Sequence, residues 1–277
     1  MNDQRPTPQS GDRLAAVVIL SGWFLIIWFA SRGSVLQIPL FFVGYAWLPG
    51  LVAVIAARRA GLSILVLGRP NLWWLIAWFS PLVLLAATVV LSLPLAEFSG
   101  LTELRAKLPP TVADASALSL VALFITQSLI AAATANLVFA LGGELFWRGY
   151  LWAAYRGLGF WPASLRIGLA WGLWYAPLIL LTPNPETPVW ASIALAVAFS
   201  VLLTPSLLWL RLQGGAVIVP ALFQGSVTAL SGLLPLLFVH ASSLLVGFTG
   251  LSGLAALAAV NFALRRWARD DQATAGV

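Results

Sequence analysis

Fifty-one consecutive residues, from Gly214 to Leu264, contain no Asp, Glu, Lys or Arg. As one helix they would run about 76 Å, far beyond a hydrocarbon core of about 30 Å. The stretch must therefore fold back and cross twice, with Pro235 to Ser243 as the natural turn. The rest of the chain is of the same kind. Of 277 residues, 61% are hydrophobic and only 9% charged, where a soluble domain carries about a quarter. An ordinary water-soluble globule is excluded. The expected class is all-α: a polytopic membrane helix bundle of about eight transmembrane helices, with the lipid bilayer as its first partner.

The first twelve residues are polar and are expected to be disordered. The first span is expected from Leu14 to Ala30; bulky Trp28 and Phe29 near its end make a poor cleavage site, so it is expected to be retained. The second covers about Leu36 to Ala57, with kinks at Pro39 and Pro49, and the third about Leu72 to Ala96. A polar connection follows, in which Leu101, Leu104 and Leu108 have the spacing of a short helix lying on the membrane. The stretch from Ala117 past Trp152 is too long for one upright span. It must tilt, break near Gly142-Gly143, or protrude. Ile167 to Leu181 and Val189 to Leu210 supply two more. This divides the chain into a cytoplasmic tail (1–12), a transmembrane bundle (13–269) and a second cytoplasmic tail (270–277).

Orientation follows from the arginines. With the N-terminus inside, the inner segments hold Arg5, Arg13, Arg58, Arg59, Arg69, Arg156, Arg166, Arg211, Arg265, Arg266 and Arg269, and the outer ones only Arg32, Arg105 and Lys107. That asymmetry places both termini in the cytoplasm and the protein in the cytoplasmic membrane. It also explains the net charge of +6 without nucleic acid, since the basic residues are scattered between apolar runs. With no Cys in the chain, disulfides and thiolate chemistry are excluded. No sequence motif for a cofactor is present. The single His240, at an outer turn, reads as a solvated side chain.

Of the formally charged side chains, only Glu144 and Arg148 fall inside the expected spans away from their ends. A charge at the bilayer centre costs about 2.5–3.5 kcal/mol on insertion scales, so an intramembrane pair marks either a site or a helix tie. Acid first at i, i+4 is the favourable order for a pair on one helix face.

These residues sit in LGGELFWRGYLW, which resembles the first signature of the CPBP family (CAAX protease and bacteriocin-processing proteins): Glu-Glu, three residues, Arg-Gly. Downstream, LAWGLWYAPL resembles the second signature, an aromatic residue followed four positions later by His. GGAVIVPALFQGSVTAL resembles the third, His-x-x-x-Asn. Order and spacing agree over residues 117–232. The resemblance implies an all-helical intramembrane endopeptidase acting on peptides or lipidated protein tails. In that family the first Glu and first His activate water, while the second His and the Asn hold the oxyanion. Carried over, the first Glu falls on Gly143, the second on Glu144 and the Arg on Arg148. The first His falls on Tyr175, with its leading aromatic at Trp171. The second His falls on Gln224 and the Asn on Thr228.

Only Glu144 and Arg148 are retained. Gly143 has no side chain, Gln224 and Thr228 do not titrate, and a Tyr with a reference pKa near 10 is a poor base. One intramembrane carboxylate and one outer His do not make a metal site, which usually needs three protein ligands. Glu144 lies 12 residues from Arg156, Tyr175 9 from Arg166, and Gln224 13 from Arg211. All three are therefore ~14–20 Å deep and on one level, with Asn136 extending the lining two turns from Glu144. The expectation is a pocket with hydrogen-bonding groups and no proton shuttle: a pseudoprotease that binds a peptide, a lipidated tail or a partner helix. The competing expectation is an active endopeptidase, with Glu144 working through water.

Overall fold

In lipid a backbone must satisfy its own polar groups, and the chain does so with helices. The computed structural model describes residues 6–31, 39–64, 66–106, 108–184 and 187–274; the side chains of a few of these, including 267–274, lie outside the description. No strand occurs among the described residues. In order, the helices are α1 (Pro8–Ala30), α2 (Pro39–Arg59), α3 (Leu72–Phe79), α4 (Pro81–Ser92), α5 (Thr102–Ala106), α6 (Pro110–Ala113), α7 (Ala117–Ala133) and α8 (Ala135–Glu144). A π-turn (Leu145–Tyr150) leads into α9 (Leu151–Tyr155). Then come α10 (Phe160–Leu181), α11 (Val189–Gly214), α12 (Ile218–Ser231), α13 (Leu234–Leu237) and α14 (Leu251–Thr274).

The protein is an all-α polytopic membrane bundle. Six stretches among the described residues are long and apolar enough to cross: Pro8–Ala30, Phe41–Arg59, Leu72–Ser92, Phe160–Leu181, Val189–Gly214 and Ile218–Leu237. A seventh, Ala117–Ala133 with Ala135–Leu158, is bent by 44°. The last expected crossing corresponds to α14, whose apolar part, Leu251 to Leu264, would span only about 21 Å. Outward faces are apolar as well: Leu118 is 79% exposed, Trp190 75% and Val83 72%. A surface of that kind belongs in lipid.

Two expectations about boundaries are corrected. The helix begins at Pro8, inside the supposed disordered tail. Thr7 Oγ1 accepts from the Ser10 backbone N–H at 3.3 Å and Ser10 Oγ from that of Thr7 at 2.9 Å, a reciprocal cap followed by Pro at the first helical position. The long fourth stretch breaks at Thr134, where φ is −121° and ψ −99°, and not at Gly142-Gly143. Gly142 serves packing instead. A Cβ there would stand 2.7 Å from the Ala46 carbonyl oxygen, so its absence lets α8 approach α2. Within the connection where a short helix is expected from Leu101 to Leu108, the chain forms the five-residue α5.

A proline inside a helix frees a carbonyl, and at Pro177 a distant side chain takes it up. Pro177 has no N–H for the Leu173 carbonyl, which accepts from the Trp23 indole at 2.9 Å. Helices α10 and α11 meet through Gly168 and Gly172, where a Cβ would lie 2.6 and 2.7 Å from the Cα atoms of Val201 and Val197. Small residues four apart permit this close crossing. Gly215 ends α11 with φ at 74°, a conformation that favours glycine.

Ties between connections sort the bundle into two ends. At one, Asp12 Oδ1 accepts from the Tyr155 hydroxyl at 2.8 Å and Asp12 Oδ2 from Arg166 at 3.2 Å, and the Asn71 amide donates to the Gly214 carbonyl at 3.2 Å. At the other, the Leu237 carbonyl accepts from the Ser99 backbone N–H at 2.9 Å, and Asn184 donates to Ser243 Oγ at 3.0 Å. Arg13, Arg58, Arg59, Arg69, Arg156, Arg166, Arg211, Arg265 and Arg266 all belong to the first end. Arg5, Arg32 and Lys107 lie outside the described residues, as does the side chain of Arg269.

Candidate functional site

Glu144 is the last residue of α8 and Arg148 lies one turn on, inside the π-turn. Both are 0% exposed. A π-turn is rare, is tolerated in short pieces, and recurs at functional sites. It carries Arg148 Nη1 to 2.6 Å from Glu144 Oε1. The other terminal nitrogen, Nη2, donates to Thr204 Oγ1 on α11 at 2.9 Å, and Thr204 in turn donates to the Ser200 carbonyl at 2.7 Å. The guanidinium lies over the Trp171 ring of α10, 4.4 Å from its centroid. One cation thus joins the π-turn, α10 and α11 through an ion pair, a hydrogen bond and an aromatic face.

Trp171 continues the chain of contacts to Tyr175, edge to face at 5.9 Å. Beyond them opens a cavity of about 620 Å³, whose wall includes Trp171, Tyr175, Gln224 and Thr228. It extends toward the arginine-poor end, reaching Thr182, Ser243 and Thr249, and no charged side chain among the described residues lines it. Gln224 is 8% exposed, and its Oε1 has no hydrogen-bond partner among the described residues. Ser200 also lines the cavity, so the Arg148–Thr204–Ser200 relay reaches its wall from behind.

The remaining sequence candidates are placed elsewhere. Glu144 and Arg148 are sealed beneath the wall. Gly143 faces Trp147: a Cβ there would stand 3.1 Å from the indole Nε1. The space a side chain at that position would need is thus held by an indole that is itself 1% exposed. Asn136 does not extend the lining. Its amide donates to the Gly225 carbonyl at 3.3 Å and ties α8 to α12, because the bend at Thr134 turns that face toward α12.

The sequence does not single out Thr204, which bonds the buried cation, or Ser200, whose carbonyl accepts from Thr204. A Thr directly before Pro205, inside an apolar run, was the available signal. Glu144 Oε2 and Arg148 Nε are buried without a hydrogen-bond partner among the described residues. No group of three or more His, Cys, Asp or Glu capable of holding a metal occurs among those residues. The chemistry on offer is hydrogen bonding and shape, with one ion pair behind the wall.

No protein-family model, curated protein or solved structure matches the chain. The likeness to the CPBP signatures therefore rests on the residues alone.

Proposed function

We propose that this is a CPBP-like membrane protein that has exchanged its peptidase groups for inert ones and binds a peptide segment or partner helix. The observation that carries the reading is the common wall formed by Trp171, Tyr175, Gln224 and Thr228 in front of a sealed Glu144–Arg148 pair. Tyr175, Gln224 and Thr228 are positions where the signatures place catalytic groups, and here they offer a phenol, an amide and a hydroxyl, with Trp171 as the aromatic that leads the second signature. With no charge among the described residues of the cavity wall, an uncharged stretch of ligand is accommodated there without burying an unpaired ion.

The arginine distribution favours an orientation with both termini in the cytoplasm and the protein in the cytoplasmic membrane. The cavity then faces the outer side, which favours a peptide or helix presented there over a lipidated tail arriving from the cytoplasm. The second reading, an active endopeptidase, has in its favour the unengaged Glu144 Oε2, but it requires the wall over Glu144 to open before that oxygen could hold a water in front of a substrate amide.

The test is purified protein in lipid vesicles with prenylated and unprenylated peptide libraries, scored for both binding and cleavage. The reading expects saturable binding without cleavage, weakened by Gln224→Leu. Cleavage by the unmodified protein that Glu144→Gln abolishes would overturn it in favour of the peptidase.

A further inference from the structure

A second polar site lies at the arginine-rich end, outside the cavity described above. Between α10, α11 and α14 is a groove of about 610 Å³, lined among others by Trp161, Ser164, Leu165, Asn261, Phe262 and Arg265. Ser164 is 1% exposed, and its hydroxyl has no hydrogen-bond partner among the described residues. The Asn261 amide is oriented by donating to the Leu202 carbonyl at 2.9 Å, which leaves its Oδ1 as a buried acceptor without a partner. Arg265 holds its guanidinium 5.5 Å from the centre of the Trp161 ring and makes no ion pair among the described residues.

These groups are arranged by depth. Asn261 is one turn before Arg265 on α14, and Ser164 is one turn after Trp161 on α10, so a neutral polar layer lies about 5–6 Å beneath a cationic one. Below and beside them the wall is apolar and open to lipid, with Leu165 49% and Phe262 63% exposed. A glycerophospholipid has the same sequence of chemistries: an anionic phosphate, ester carbonyls a few bonds deeper, then acyl chains. A buried polar group left unpaired is costly, and basic pockets between helices at the membrane surface recognise anionic head groups.

We propose that this groove binds one anionic glycerophospholipid from the leaflet at the arginine-rich end. Its phosphate lies on Arg265 above Trp161, and an ester carbonyl accepts from Ser164 in the layer beneath. The assignment is independent of what the Tyr175 cavity holds.

The test uses the full-length protein in nanodiscs of phosphatidylcholine alone, or of phosphatidylcholine mixed with phosphatidylglycerol. Lipid retained on transfer to detergent is measured by native mass spectrometry, and thermal unfolding is followed in parallel. Expected are one retained phosphatidylglycerol per chain and a higher Tm in the anionic discs. Ser164→Ala and Arg265→Gln should each weaken retention about tenfold, as for one lost hydrogen bond to a charged or buried group. Arg265→Lys should keep most of it, and Arg58→Gln, at the same end but outside the groove, should change nothing. Equal retention of phosphatidylcholine, or undiminished phosphatidylglycerol in the Ser164→Ala/Arg265→Gln double variant, would overturn the proposal. Because both substitutions shorten side chains at the rim of α10 and α14, unchanged Tm values of the variants in phosphatidylcholine discs serve as the folding control.

Discussion

Arg148 has three attachments, and their removal should not be equivalent. Replacing Glu144 by Gln keeps the shape but leaves a fully buried guanidinium without its carboxylate, an uncompensated charge worth about 3–5 kcal/mol. Unfolding of the purified protein in mixed micelles should show that loss for Glu144→Gln. Thr204→Val, which removes one hydrogen-bond acceptor, should lose about 1–3 kcal/mol. Replacing both charges together, Glu144→Leu with Arg148→Met, should recover most of the loss, since no ion then remains to be desolvated. At Gly143 the indole of Trp147 stands where a new side chain must go. Gly143→Glu is expected to cost about 1–3 kcal/mol through overpacking. A Trp147→Leu background should relieve part of this in a double-mutant cycle. The charged pair was legible in the sequence because ions are conspicuous among apolar residues. Thr204 was not, since a hydroxyl 56 residues away along the chain looks like any other small polar residue until the helices are packed.

At the scale of helices, periodicity and charge located the rods but not their defects. A Gly-Gly pair suggests a hinge, yet Gly142 is where α8 comes against the backbone of α2, and the hinge lies at Thr134. Sequence cannot separate these uses of glycine, because flexibility and close packing ask for the same missing side chain. The π-turn was equally hidden: nothing in the segment Leu145–Tyr150 distinguishes a wider winding from an ordinary helical turn until Phe146, Trp147, Arg148 and Tyr150 are all seen buried. The α10–α11 contact has a direct consequence. Gly168→Leu should force α10 away from Val201 and lower the yield of folded protein. Gly157→Leu, in a turn where a Cβ meets nothing within 4 Å, should not. Size-exclusion profiles of the two variants in detergent are the comparison. The Leu173 carbonyl freed by Pro177 predicts a smaller effect: Trp23→Phe removes its donor and should cost about 0.6–1.7 kcal/mol, the range of interhelical hydrogen bonds in membranes.

For the molecule as a whole, the strongest regularity is the sorting of arginines to one end, and it converts into a topology experiment that this chain suits unusually well. With no native Cys, every engineered thiol reports without background. Ser63, in the connection between α2 and α3 at the arginine-rich end, and Ser243, bonded to Asn184 at the other, lie on opposite faces of the bundle. In intact cells or right-side-out vesicles, Ser243→Cys should react with a membrane-impermeant maleimide while Ser63→Cys stays silent until the membrane is opened. Inverted vesicles should exchange the two results. The same reagent tests where the large cavity opens, because Thr182 and Thr249 line it at the Ser243 end. Thr182→Cys and Thr249→Cys should label from outside and be protected by a bound peptide, whereas labelling of both only from inside would reverse the topology and bring the cavity to the cytoplasm. Moving the arginines offers an independent check of cause. Because orientation is set by basic residues close to span ends, neutralising Arg58 and Arg59 together should produce a mixed population in which Ser63→Cys becomes partly reactive from outside, without altering the Glu144–Arg148 core that holds the helices in register.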